Sequence, residues 1–494
     1  MRNALLFVCC LAACTMSAAI RWEPFALPPE ARDLHADLGH LTVPLNRAHP
    51  DAGSAELAFV RLRAGDGSAN PPIVYLAGGP GNSGVDAARN PYALPSLARL
   101  ARVGDVILLD QRGIGLSTPH VACKATPLPP RERFIALPAA VARYAERTRA
   151  CVAELASNGI DVSAFNVRES AADVDELRQA LGVPKVSLLA HSYGTYLALS
   201  VIRDYGANIH RAVLLGTAGP NDMRKLPLML DTQLGKLALL AAGDPAVGRD
   251  VPDLAALLRR VLDKLEKKPI DVTVTDRATK ELVTFPVGPD TLRSFLVADI
   301  GDGNDFPFFP ALLLTIERGD PSILEWFAEK RYNQRAAGVD LMVLGMRCSA
   351  GATAARDREI EREASLSLFR NAVNFPFPDA CNALPSIDLG DAFRAPIVSN
   401  ASVLFMSGTL DSNTPPYQAE AVRWGMPNAT HLIVDNAGHE DLEPNEDVQA
   451  IIADYLAGKD VAQRRVSLPK PHFLSVDDAK KQRRASRFGN ATSH

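Results

Sequence analysis

The 494-residue chain has no strong excess of either charge. Its 53 Lys and Arg stand against 57 Asp and Glu, a formal net charge of −4, so it lacks the cationic footprint that a nucleic-acid partner requires. After the first twenty residues no apolar run approaches the roughly 20 residues of a membrane-spanning helix, so no transmembrane span is expected. No C-x-x-C pair and no Cys/His cluster has metal-ligand spacing, and G-x-G-x-x-G is absent. Neither a metal site nor a redox cofactor is therefore implied. Apolar residues are plentiful at 47%, which is ample for a sizeable core and excludes bulk disorder. The length suits one large domain with an insertion, or two to three smaller domains.

The first residues have the form of an export signal. Arg2 supplies the positive start, 4–13 the apolar stretch, and Ser17-Ala18-Ala19 a small-residue cleavage site, so 1–19 is expected to be a leader and the mature chain to begin near Ile20. Leu11-Ala12-Ala13-Cys14 offers a competing reading as a lipobox, with an N-terminal lipid anchor at Cys14. Either reading sends the protein to the periplasm or the exterior. Three of the seven cysteines fall in the leader, leaving Cys123, Cys151, Cys348 and Cys381. Of the three possible pairings, the sequence-local ones are expected, Cys123 with Cys151 and Cys348 with Cys381. Each closes a loop of about 30 residues, worth roughly 3 to 4 kcal/mol in the chain-entropy model. Four buried free thiols are the alternative.

From about residue 40, short apolar runs alternate with helical segments, the pattern of an α/β fold with a mostly parallel central sheet and helices on both faces. LTVPL (41–45) and AELAFVRL (55–62) read as a leading antiparallel pair, IVYLAG (73–78) and VILLD (106–110) as buried strands, and 170–182 as a helix capped by Ser170. VSLLA (186–190) and AVLLG (212–216) are the next strands. The rhythm breaks over 221–395, a mostly helical stretch too long for a loop and expected to be an inserted lid. It returns at SVLFMSG (402–408) and HLIVDNAG (431–438). The expected organisation is thus a leader at 1–19, core at 20–220, lid at 221–395, core at 396–460, and a basic C-terminal tail at 461–494. The tail is read as a solvated or disordered end.

The chemistry is concentrated in VSLLAHSYGTYLAL (186–199). Ser192 stands between an apolar run and a helix-like run, the setting of a nucleophile on a sharp strand-to-helix turn. Serine attack needs a base, a carboxylate to orient that base, and donors for the oxyanion. Asp411 in SGTLDSNTPP and His439 in NAGHED each follow a predicted strand, in the chain order Ser, acid, His. Read singly, Asp411 also suits a simple turn and His439 an ordinary loop. His431 and Asp435 are weaker competitors because they belong to the run leading into the loop. His191, adjacent to Ser192, points away from it and is expected to shape the pocket. GGPGNSG (78–84) follows a buried strand, so Gly78 or Gly79 is expected to supply one oxyanion donor and the backbone of Tyr193 the other. Asp110 and Arg112 in DQRGIGLS are read as a structural turn beneath that loop.

Taken in order and spacing, GGPGNSG, DQRGIGLS, AHSYGT, SGTLDSNTP and GHED resemble the α/β-hydrolase peptidases related to prolyl iminopeptidase and, more closely, the exported tripeptidyl aminopeptidase-like bacterial enzymes. The resemblance runs from about 41 to 457 and covers the lid only loosely. It implies an α/β-hydrolase fold with Ser192 as nucleophile, Asp411 as orienting acid and His439 as base, acting on a small peptide from its free N-terminus. The chain departs from the pattern at Ala77 in place of a histidine, which moves it away from strictly proline-specific enzymes, and at Ala190 and Glu440 in place of glycines. An exopeptidase needs an anion for the substrate ammonium. Asp299, Asp302 and Asp305 in DIGDGNDF are candidates, but are read as a solvated lid turn. A carboxylesterase would use the same triad without an ammonium site, and a hydrolase fold kept as a non-catalytic binding protein is the remaining alternative. Serine in place of Asp at the elbow argues against an epoxide hydrolase or dehalogenase.

Overall fold

The computed structural model describes residues 19–489 apart from 32–33, 66–69, 124–136, 335–338 and 386. Residues 1–18 of the expected leader, Cys14 among them, lie outside the described residues, as does the end of the tail at 490–494. Among the described residues no helix is long and apolar enough to cross a membrane.

One sheet organises the molecule. Its ten strands are β1 (Arg21–Pro24), β2 (Ala36–Pro44), β3 (Ser54–Leu62), β4 (Ile73–Leu76), β5 (Val106–Leu109), β6 (Val186–His191), β7 (Ile209–Leu215), β8 (Val403–Gly408), β9 (Ala429–Asp435) and β10 (Val466–Ser467). They lie in the order β1-β2-β3-β5-β4-β6-β7-β8-β9-β10. The β1, β2 and β3 pairings and the β3–β5 pairing are antiparallel, and every pairing from β5 to β10 is parallel. Strands β4, β5, β6 and β8 are buried along their whole length because helices cover both faces, which is why they read as continuous apolar runs rather than alternations.

The pleat still sorts their side chains. Val74 and Leu76 enter the core on one face, with Leu188, Ala190 and the helices Val167–Ala180 and Tyr193–Tyr205; Ile73 and Tyr75 enter the other, with Leu189, Val213 and the helix Glu446–Leu456. The chain runs from β4 outward to β5 and then crosses back to β6 on the other side of β4. Such a reversal opens a crevice at the carboxyl ends of the strands. The GGPGNSG loop follows β4 and Ser192 follows β6, so both border that crevice.

Several local readings change. The helix expected at 170–182 starts at Val167, because the Asn166 side chain accepts the Glu169 N–H and caps it, leaving Ser170 buried inside. Between β7 and β8 the chain is helical but also holds a hairpin, Ile270–Thr275 paired with Leu282–Val287. The alternating burial of IDVTVT and LVTFPV is the period-2 signal of those strands. This segment divides between two cores. Leu234, Leu257, Phe295, Phe309 and Phe327 form a cluster of their own, whereas Leu341, Met342 and Leu344 of the helix Leu341–Ala350 pack into the sheet core.

The described part of the tail is anchored as far as Lys480. Phe473 and, within the helix Val476–Gly489, Ala479 are buried in the insertion's core, and Lys480 Nζ donates to Asp320 Oδ2 at 2.7 Å. Apolar anchors inside a basic segment override the solvated reading that charge alone suggests. The two local disulfides form, Cys123–Cys151 and Cys348–Cys381, with Cα separations of 5.6 and 5.5 Å.

Candidate active site

Ser192 joins β6 to the helix Tyr193–Tyr205 with φ 55° and ψ −125°, a backbone setting rarely tolerated outside glycine. Its own N–H donates to Leu215 O on β7 at 3.0 Å, which holds the turn against the sheet. Close approach explains the glycine that follows. A Cβ on Gly194 would stand 2.0 Å from the Leu76 carbonyl oxygen, so the helix can pass β4 only without one. Ala190, in place of the other glycine of the pattern, is buried within β6 and its methyl is accommodated.

Asp411 and His439 come from the loops after β8 and β9, and the structure brings both to Ser192. His439 Nε2 lies 2.9 Å from Ser192 Oγ, and His439 Nδ1 lies 2.8 Å from Asp411 Oδ2. Asp411 is buried, and each oxygen is occupied. Its Oδ1 accepts from Asn413 N at 2.7 Å and Thr414 N at 2.9 Å, and its Oδ2 accepts from Thr414 Oγ1 at 2.7 Å. Burial pushes its pKa up, but the His439 charge and these donors outweigh that and hold the carboxyl well below the usual carboxylate range. Conversely, burial pulls His439 down, and the Asp411 charge and hydrogen bond outweigh it, leaving the imidazole pKa raised. An ionised Asp411 that only accepts fixes the proton of neutral His439 on Nδ1 and leaves Nε2 free to accept from the serine hydroxyl.

The other expected residues surround this chain of hydrogen bonds. Gly78, Gly79 and Tyr193 line one cavity of about 250 Å³ with Ser192 and His439. Tyr193 is the first residue of its helix, a position whose N–H has no partner within the helix. A Cβ on Gly78 would lie 3.0 Å from His191 O and 3.1 Å from Ser192 Cβ, so any side chain there would crowd the nucleophile. His191 Nε2–H donates to the His439 carbonyl at 3.1 Å and the two rings lie 4.8 Å apart, so His191 supports the base.

His431 is engaged elsewhere, 3.1 Å from Glu420 Oε2 and 3.0 Å from Ser407 Oγ. Asp110 accepts from Ser83 Oγ at 2.6 Å, Val85 N at 3.0 Å and Leu116 N at 2.8 Å, tying the glycine loop to the end of β5. Arg112 is wholly buried and grips Asp173 through Nε and Nη2 at 2.7 and 2.6 Å.

The aspartates of DIGDGNDF are not a solvated turn. Asp299 and Asp305 are buried, Asp299 pairs with Lys330 and Arg331, and Asp305 with Lys330 at 2.5 Å. Asp302 accepts from Asn304 N at 2.9 Å. Burial, helped by the neighbouring Asp305 charge, raises the Asp299 pKa to about 7 against the lowering pull of Arg331 and Lys330. The loop serves the site through its backbone, since Gly301 O accepts the His439 N–H at 2.9 Å.

Three charged residues in the cavity wall escaped the sequence reading: Lys225, Arg347 and Glu440. The first two lie far apart on the insertion and have no local motif to mark them. Glu440 had a signal, as the residue that replaces a glycine after His439. It is exposed at the rim, where a carboxylate meets the same space as Ser192.

Parts of the chain are similar to known proteins. Residues 71–301 match the model of the alpha/beta hydrolase fold, and residues 369–466 that of the TAP-like proteins. A stretch of 196 residues is 31% identical to serine protease Hip1 of Mycobacterium tuberculosis (strain ATCC 25618 / H37Rv), covering 37% of this chain and 36% of that protein. Over 228 residues the chain is 30% identical to the tripeptidyl aminopeptidase of Streptomyces lividans, covering 42% and 40% of the two. Over 194 residues it is 26% identical to the putative hydrolase YuaR of Escherichia coli (strain K12), covering 37% of each. The chain thus spans well under half the length of the curated relatives it matches. The matched segments fall on the strands that carry the glycine loop, Ser192, Asp411 and His439, and with the sheet order they identify the fold as the α/β-hydrolase fold.

Proposed function

We propose that the protein is an exported serine hydrolase that releases one or a few residues from the free N-terminus of a peptide, through an acyl-enzyme on Ser192. The observation that carries this reading is the hydrogen-bond chain from Asp411 through His439 to Ser192, ending in a cavity walled by Gly78, Gly79 and Tyr193. In the first half-reaction His439 Nε2 takes the Ser192 proton as Oγ attacks the scissile carbonyl. Asp411 stabilises the imidazolium that results. Backbone N–H groups of Tyr193 and the Gly78/Gly79 loop meet the oxyanion, and loss of one such donor costs on the order of 100- to 1,000-fold in turnover. His439 then protonates the leaving amine, and water attacks the acyl-enzyme by the same route in reverse.

Glu440 supports action at a free N-terminus, because its carboxylate stands on the cavity rim where an ammonium group would otherwise be desolvated without a partner. The segment between β7 and β8 acts in this reading as a lid that limits how much peptide enters. Two disulfides support an oxidising compartment and hence export.

Labelling with a fluorophosphonate and cleavage of paired free and N-acetylated peptides test the proposal. Wild type is expected to be labelled, Ser192→Ala not, and free peptides to be cut in strong preference to acetylated ones. Equal labelling of Ser192→Ala would remove the nucleophile assignment. Equal cleavage of acetylated peptides would remove the aminopeptidase assignment and leave an esterase-like hydrolase.

A further inference from the structure

Besides Glu440, the cavity that holds Ser192 is lined by two cations, Lys225 and Arg347. Among the described residues neither makes an ion pair with a carboxylate. Lys225 Nζ donates to the neutral carbonyl of Asn413. Arg347 has no ion pair among the described residues; its guanidinium lies 5.4 Å from the Phe377 ring centroid and its Nε is buried without a hydrogen-bond partner. The acids close by are committed: Asp411 to His439 and Thr414, Asp222 to Arg356 at 2.9 Å, and Asp357 to Arg224 at 2.5 Å. Burial pulls the Arg347 pKa below its ordinary value, and burial together with neighbouring Arg347 pulls Lys225 down to about 8, with Asp411 opposing. Two like charges held side by side in a recess are costly unless an anion joins them.

Their surroundings are built rather than incidental. Arg347 sits on the helix Leu341–Ala350, next to Cys348, whose disulfide to Cys381 fastens that helix to the segment bearing Phe377. A second cavity, of about 500 Å³, adjoins the first and shares Met223 and Arg347 with it. Arg347 therefore stands at the junction of the two spaces. A guanidinium offers forked donors suited to a carboxylate, and the lysine supplies a second, mobile donor.

Resting on the assignment of Ser192 as nucleophile, we infer that Lys225 and Arg347 form a carboxylate-binding subsite that selects acidic substrates, short peptides whose own carboxylate reaches the recess while the ammonium lies toward Glu440. The cavity wall carries the charges such a substrate needs, one carboxylate and two cations. The carboxylate has two possible sources, the C-terminus of a short peptide or an acidic side chain, and the same chemistry serves both.

The test uses the intact protein and tri- and tetrapeptides with free amines, ending in carboxylate or carboxamide and carrying Glu or Gln at each position in turn, with products read by mass spectrometry. Wild type is expected to favour a carboxylate over its amide by about 10- to 100-fold in kcat/KM, mostly through KM. Arg347→Gln should collapse that ratio toward one, Lys225→Met should reduce it, and Arg347→Lys should keep part of it. Dependence on the terminal group identifies the C-terminus, and dependence on Glu over Gln identifies the side chain. A wild type that is labelled by fluorophosphonate but treats both members of every pair alike would overturn the subsite and leave the nucleophile standing. A wild type that is not labelled overturns both. Should Arg347→Gln fail to fold, the wild-type ratios and competition by acetyl-alanine against acetyl-alaninamide still decide.

Discussion

His439 Nδ1 lies 2.8 Å from Asp411 Oδ2, and both side chains are buried. The pair sets a pH dependence whose sign follows from the direction of its shifts. Burial works against the charged imidazole, but Asp411 outweighs it and His439 is raised above its ordinary value of about 6.5. Only neutral His439 can take the serine proton, so kcat/KM should rise with pH through that raised pKa, placing the acid limb above the ordinary histidine range. In Asp411→Asn the chief raising influence is gone. The limb should shift to lower pH while the plateau falls by roughly 10⁴. A pH–rate profile of both proteins checks this, and a limb that stays in place after the substitution contradicts it.

Two glycines hold the reacting side chains by leaving room. Gly216, at φ 58°, follows β7, and a Cβ there would lie 2.7 Å from Thr414 Oγ1 and 3.2 Å from Asp411 Oδ2. Gly216→Ala is therefore expected to displace Thr414 and Asp411, lowering kcat by at least 10-fold with a smaller effect on KM. A change of about 1.4 kcal/mol in orienting the base suffices for that. Gly194→Ala, which drives a methyl into Leu76 O, should cost about 1 to 3 kcal/mol in stability or force the elbow to move. Thermal melting and fluorophosphonate labelling rates separate these effects. Full stability with unchanged labelling in Gly194→Ala would show that the helix has room to retreat.

What was readable in advance follows from how local each signal is. Ser192 and Asp411 each follow a continuous apolar run that becomes a buried strand, and His439 follows the half-buried strand β9, so the sequence marks both the residue and its place after a strand's end. Lys225, Arg347 and Glu440 meet only through the packing of the insertion on the sheet, and no periodicity encodes that meeting. The Ser170 cap was displaced by Asn166 because both residue types cap well and only the chain's entry angle decides. In the tail, charge density masked Phe473 and Ala479, apolar anchors whose burial depends on a core formed far earlier in the chain. The 270–287 hairpin was lost for a different reason, since its period-2 pattern is short and flanked by strongly helical segments.

Beneath the glycine loop, Arg112 binds Asp173 with two hydrogen bonds and donates to Leu45 O at 2.6 Å and Ala164 O at 3.0 Å. All of this is buried, so removing the guanidinium strands a carboxylate and two carbonyls at once. Arg47 Nη2, 2.9 Å from Asp173 Oδ1, remains but sits nearer solvent. Arg112→Ala should cost about 3 to 5 kcal/mol of stability, and Arg112→Lys should recover only part because it cannot make the forked contact. Denaturant unfolding of the two variants measures the difference. Equal stability would mean that the forked geometry contributes little beyond charge.

The Cys348–Cys381 disulfide closes a 33-residue separation, and its loss in Cys348→Ala/Cys381→Ala should lower stability by about 2 to 4 kcal/mol through a freer unfolded chain. Its position adds a functional consequence. Cys348 is the neighbour of Arg347 and Cys381 lies in the wall of the larger cavity beside Phe377, so the bond fixes the guanidinium against its ring. Without it, the substrates whose carboxylate Arg347 is inferred to hold should show a raised KM, while kcat for small neutral esters falls less, because the hydrogen bonds among Ser192, His439 and Asp411 do not pass through that helix. Kinetics on both substrate types, at a temperature well below the lowered Tm, separates local loosening from unfolding. If KM stays unchanged for the acidic substrates while stability falls, the bond acts on the unfolded chain alone and Arg347 is positioned by its helix without it.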